Sequence, residues 1–154
     1  MLAFAAHLAL RGPLRVLDGG NRFNAYTVAR NLRRLSQGPL AQALERIRVA
    51  RAFTCYQVAA LLEQTPADTA PTLVIDFLDT FYDQSAPFVE RRRLLEGCVQ
   101  RLRYLSLQAA VAVSLRPPPP SQTDPTGLLQ IVQDAADQVW FHEESHSPSP
   151  ARLL

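Results

Sequence analysis

Four carboxylates and three consecutive arginines are the side chains whose types and positions suit chemistry. Asp18 closes the run Leu14-Arg-Val-Leu-Asp18, and Asp76 follows Thr72-Leu-Val-Ile, a short β-branched run that suits a strand buried on both faces. Asp79 and Asp83 stand in the loop just beyond. Acids there are candidates for ligand contact, because parallel sheets bind ligands outside the carboxyl ends of their strands. Arg91, Arg92 and Arg93 form the other candidate group, together with Phe81 and Tyr82 in the loop from Leu78 to Pro87. A guanidinium fork matches phosphate geometry and a loop aromatic can stack on a base, so these five residues are the candidate DNA contact. Three adjacent arginines also cover most of a helix circumference. The plainer reading is therefore preferred: one or more packs its stem or pairs with Glu90 or Glu96, and Phe81 and Tyr82 pack under the loop.

Composition removes several other chemistries. At 154 residues and 47% hydrophobic, the chain fits one domain with a single core. All 16 basic residues are arginine, which excludes Schiff-base and general-base lysine chemistry. The net charge of +2 is too small to announce a polyanionic partner, an inference that needs a clustered basic face. Cys55 and Cys98 lack CxxC spacing and a nearby histidine pair, so neither a zinc site nor a disulfide framework is expected and a reducing cytoplasm fits best. The apolar opening Leu2–Leu10 has no basic residue before it, and it is about half the ~20 residues that cross a bilayer, so it reads as a core helix and no membrane association is expected. His7, with no second histidine at helical spacing, is assigned no metal role.

Positioning the acids requires alternating strands and helices. Leu2 to Leu10 reads as helix stopped by Gly12-Pro13, Leu14–Asp18 as strand, and Phe23 to Leu35 as an amphipathic helix ended by Gly38-Pro39. Ile47 to Phe53 alternates with period two, and Thr54 is placed to cap the helix through Val58, Leu61 and Leu62. Thr72 to Phe77 is the next strand. Phe88 to Ser106 puts Leu95, Cys98, Val99, Leu102 and Leu105 at helical spacing, which marks Cys98 as core. Ala109 to Leu115 follows as strand, Leu128 to Ala136 as helix, and Gln138 to His142 as a last strand. The expected fold is α/β, a mostly parallel sheet with helices on both faces. Residues 1–142 form its core, 116–127 a proline-rich exposed connection, and 143–154 a disordered tail.

Three blocks in this order resemble the RecA/RadA recombinase superfamily. They are Val16-Leu-Asp-Gly-Gly-Asn-Arg-Phe23, Ile47-Arg-Val-Ala-Arg-Ala-Phe53 with Gln57, and Leu73-Val-Ile-Asp-Phe-Leu-Asp-Thr-Phe81 continuing through Glu90-Arg91 and Leu102-Arg103 to Val111-Ala-Val-Ser114. The third is similar to a Walker B strand, loop, long helix and next strand, and the likeness spans about residues 2 to 115. It implies a RecA-like sheet and gives Asp76 the place of the Walker B acid that orients magnesium. The departures from the family carry as much meaning. A phosphate loop needs glycines, a lysine and Ser/Thr, and none of that pattern is present. Gly19-Gly20 stands where the family has its catalytic glutamate, and Ser114-Leu115-Arg116 where it has a glutamine.

The resemblance therefore implies a vestigial Asp76, no catalytic residue and no cofactor. Its expected function is a non-hydrolysing RecA-like accessory or scaffolding protein in DNA recombination or repair, partnered by another RecA-like subunit and with DNA contact open. Because the family holds its phosphate-loop strand inside the sheet, its absence is expected to leave strand edges unpaired unless neighbours or another chain close the gap. Two alternatives stand beside this reading. One is a fragment of an active ATPase whose phosphate loop, and with it Mg-ATP, belongs to sequence upstream of Met1. The other is an unrelated doubly wound domain that binds a small ligand at Asp18 and Asp76.

Overall fold

The computed structural model describes residues 1–118 and 127–141. Along them run α1 (Leu2–Arg11), β1 (Leu14–Asp18), α2 (Ala25–Leu35), α3 (Leu40–Glu45), β2 (Ile47–Arg51), α4 (Cys55–Gln64), β3 (Thr72–Ile75), α5 (Phe88–Ser106), β4 (Val111–Val113) and α6 (Leu128–Ala135). The strands form one sheet in the order β2-β1-β3-β4, with every neighbouring pair parallel.

Alternation of side chains divides this sheet between two helical layers. Leu14 and Val16 of β1, with Leu73 and Ile75 of β3, pack with Ala5 on the α1 side, where Val28, Leu32 and Ala43 join Ala6. Leu17 and Val74 point the other way, into a core with Val58 and Leu62 of α4, Leu95, Cys98 and Leu102 of α5, and Leu128 and Val132 of α6. The chain passes from β1 to β2 through α2 and α3 on one face and returns across β1 to β3 through α4 on the other. Reversing direction and face together keeps the crossovers at one hand, as parallel strands require.

The elements follow local rules. Asn24 begins α2, its side chain accepting a hydrogen bond from the Thr27 amide, and Thr54 caps α4 by accepting from the Gln57 amide. Asn24 displaces the expected start of that helix from Phe23. The short helix α3 buries Ala43 against α1 and α2. Strand β2 stops at Arg51 rather than Phe53, and β4 keeps only Val111–Val113 of the expected run from Ala109 to Leu115.

Residues 138–141 correct a larger expectation. They are not a strand: Val139, Trp140 and Phe141 lie exposed, with no sheet neighbour to satisfy their backbone. His142, residues 119–126 of the proline-rich connection and the expected tail at 143–154 lie outside the described residues. No strand is missing between the four that are described. Neighbours pair directly, and among the described residues the outer edges of β2 and β4 are the open ones.

Candidate functional site: the strand-end crevice

The winding reverses between β1 and β3, so the loop after β1 leaves toward α2 while the loop after β3 leaves toward α5. Such a switch point is where an open parallel sheet forms its crevice. Both strand-end acids flank it.

Asp18, 1% exposed, organises its own loop. Its carboxylate accepts hydrogen bonds from the backbone amides of Arg22 and Phe23, each at 2.9 Å. Arg51 Nε donates to the same carboxylate at 3.1 Å, and Arg51 Nη2 reaches the Phe23 carbonyl at 2.7 Å. Parallel register brings the pair together, since Asp18 lies opposite Arg51 at the ends of β1 and β2. The carboxylate is thereby engaged by three donors and serves as the pin of the Gly19–Phe23 turn.

Asp76 has a left-handed backbone, φ 48°, which ends β3 at Ile75 instead of Phe77. Ser114, just past β4, holds this corner: its hydroxyl accepts from the Asp76 amide at 2.8 Å and donates to Asp76 Oδ1 at 3.1 Å. Arg116 Nε lies 3.2 Å from Asp76 Oδ2 and Arg22 Nε 3.8 Å from it. Gly20 closes the gap from the β1 side. A Cβ there would fall 2.5 Å from Asp76 Cβ and 2.9 Å from Asp79 Oδ2, so only glycine lets the two loops meet. Asp79 is half-buried beside them. Burial, followed by the charge of Asp76, pushes its pKa upward, with Arg116 and Arg22 partly offsetting both.

These contacts assemble Asp76, Asp79, Gly20, Arg22, Ser114 and Arg116, with Asp18 and Arg51 alongside. Asp83 stays out, accepting from the Ser85 amide in an exposed turn. Arg22, Arg51, Ser114 and Arg116 were not singled out as site residues from the sequence, because nothing in linear spacing pairs Asp18 with an arginine 33 positions later. A cavity of about 10 Å³ beside Asp18 and Gly19, walled by Leu17, Ala52, Val58 and Phe77, has room for about one water. Among the described residues no three His, Cys, Asp or Glu side chains are grouped to hold a metal ion. No protein-family model and no curated protein matches the chain.

Of the candidate DNA contact, Phe81, Tyr82 and Arg91 are engaged within the fold, whereas Arg92 and Arg93 lie exposed on α5. Phe81 is fully buried and Tyr82 nearly so, with Phe81 in edge contact with Phe77, so neither ring is presented to a base, and the plainer reading of this pair holds. Arg91 Nη1 donates to the Phe81 carbonyl at 2.7 Å and its guanidinium lies over the Phe88 ring. Arg92 pairs with Glu96 at 2.9 Å, and Arg93 with Glu90 at 2.7 Å. Among the three, one arginine ties down the loop and two are neutralised on their own helix.

Proposed function

We propose that this chain is a non-hydrolysing RecA-like accessory or scaffolding protein of DNA recombination or repair, which acts by binding a RecA-like subunit. The observation that carries the reading is the state of the switch-point crevice. Its two strand-end carboxylates are engaged by Arg22, Arg51 and Arg116 of the same chain, and Gly20 is seated against Asp76 where a ligand would have to enter. A nucleotide phosphate would meet Asp76 and Asp79 without the cradle of backbone amides and the lysine that neutralise such charge in phosphate loops. Gly19-Gly20 leaves no side chain to activate water. The order of the three sequence blocks supports the RecA-like part of the reading, while the parallel sheet is common to doubly wound folds.

Partner binding draws support from the open edge of β2. Val49 on β2 is 40% exposed, Phe53 just past the strand 64% and Tyr56 in the first turn of α4 48%, and among the described residues no strand pairs with the outer edge of β2. An edge of that kind accepts a strand from another subunit.

Calorimetric titration with Mg-ATP is expected to give no binding heat, and a phosphate-release assay no turnover. Turnover that Asp76→Asn abolishes would overturn the proposal. Mixed with the RecA-type ATPase of its own host, the chain is expected to co-elute in size-exclusion chromatography. The double substitution Val49→Asp/Phe53→Ala is expected to separate the two.

A further inference from the structure

The near-zero net charge conceals a steep partition along the chain. Residues 1–51 carry nine arginines against two carboxylates, Asp18 and Glu45, while residues 52–154 carry seven arginines against twelve carboxylates. Three of the first group, Arg30, Arg33 and Arg34, fall on α2. Several others of that group are committed: Arg15 to Asp68, Arg22 to Asp76, Arg51 to Asp18, and Arg46 to the carbonyls of Ala9 and Leu10 at the end of α1. Those on α2 are not. Among the described residues Arg30, Arg33 and Arg34 make no ion pair, all three are exposed, and α2 itself contains no acid.

Their spacing makes a track. Tyr26, Arg30 and Arg33 follow one another at i, i+4 and i+7 opposite the buried Val28 and Leu32, and Arg34 flanks Arg30 one turn on. Tyr26 is 71% exposed at the head of this stripe. From Tyr26 to Arg34 the track runs about 12 Å along the helix, about the length of three or four stacked nucleotides. The arginines at i+3 and i+4 repel one another, a small destabilisation that an anion would relieve. The helix dipole accounts for basic residues in the last turn, but not for Arg30 or for an exposed tyrosine in the first. The contrast with α5 is direct, since there Glu90 and Glu96 neutralise Arg93 and Arg92.

We propose that the exposed face of α2, formed by Tyr26, Arg30, Arg33 and Arg34, binds a single-stranded nucleic acid: the guanidiniums take the phosphodiester backbone and the Tyr26 ring stacks on an unpaired base. This face belongs to the helical layer rather than to the strand-end loops, and the proposal does not require the recombinase resemblance. A phosphate track paired with one aromatic platform is the pattern by which single strands are held without sequence readout.

Fluorescence anisotropy with the 154-residue chain tests this, using a labelled mixed-sequence 30-mer as DNA, as the matching RNA, and as the DNA duplex. Salt-dependent binding is expected to one or both single strands, at least threefold tighter than to the duplex. The triple substitution Arg30→Ala/Arg33→Ala/Arg34→Ala is expected to weaken it more than tenfold and to reduce the slope of log affinity against log salt by about 2, as loss of three backbone charges predicts. Tyr26→Ala is expected to weaken single-strand binding several-fold while leaving the salt slope unchanged. The control Arg92→Ala/Arg93→Ala, on α5, is expected to change affinity less than twofold. Absence of binding to both single strands overturns the proposal, as does equal loss in the control pair, duplex binding as tight as single-strand binding, or indifference to Tyr26→Ala. Because all α2 substitutions lie on an exposed helix face and alanine favours helix, unchanged circular dichroism separates lost binding from lost folding. Failure here leaves the Mg-ATP and partner measurements untouched.

Discussion

At the scale of single residues, the crevice is held shut by a glycine and a set of charge pairs. Gly20→Ala must push its new methyl group into Asp76 Cβ and Asp79, so it is expected to destabilise the fold by about 1–3 kcal/mol in urea denaturation. Gly97→Ala is the internal comparison. That glycine lies within α5 with open space around it, and alanine there is expected to stabilise by about 0.5–1 kcal/mol. Asp79 adds a pH-dependent component. Its raised pKa means that the native state holds a proton more tightly than the unfolded chain, so the stability it contributes is present in acid and lost as pH rises through the native value. Asp79→Asn is therefore expected to raise Tm at neutral pH, with the gain shrinking as pH falls from the raised native value to the ordinary aspartate value. A gain that persists unchanged into acid would exclude Asp79 titration as its source. The position of Asp76 at a strand end was legible from the β-branched run before it, whereas its left-handed backbone and its bonds to Ser114 were not, because they depend on where β4 ends.

At the scale of elements, patterning and capping carried most of the assignment. Helix α5 runs over the expected residues because five apolar side chains repeat at helical spacing with no proline or cap between Phe88 and Ser106. Thr54 was recognisable as a cap from its position ahead of an apolar-periodic stretch, and Cys98 as core from its place in the α5 repeat; its thiol is pushed up to about 12 by burial. Asn24 follows the same rule as Thr54 but was hidden behind Phe23, whose apolar side chain extends the periodic pattern backward. Asn24→Ala is expected to destabilise the protein by about 1 kcal/mol, read as a shift in urea midpoint at constant m-value. The residues from Gln138 to Phe141 failed as a strand for a different reason. Their β propensity describes how such side chains fit a pleated surface, and no open strand edge is paired with them.

At the scale of the whole molecule, two exposed features lie outside the packed core. One is the sole tryptophan, Trp140, 80% exposed beside the equally open Phe141. Acrylamide is expected to quench its fluorescence nearly as well in the native protein as in urea, and strong native protection that disappears on dilution would show that a second molecule covers it. The other is the basic face of α2. Its charges were countable in the sequence, but the sum of +2 erased them, and the fold shows Arg30, Arg33 and Arg34 exposed on α2 with no ion pair among the described residues. What the sequence by itself determined was the alternation of elements, the parallel α/β class and the acids at two strand ends, because periodicity and capping act over a few residues. The tertiary structure decided the strand order and the Asp18–Arg51 and Asp76–Arg116 pairs. Those depend on register and on loop ends meeting across 33 to 40 positions, and no local pattern encodes such distances.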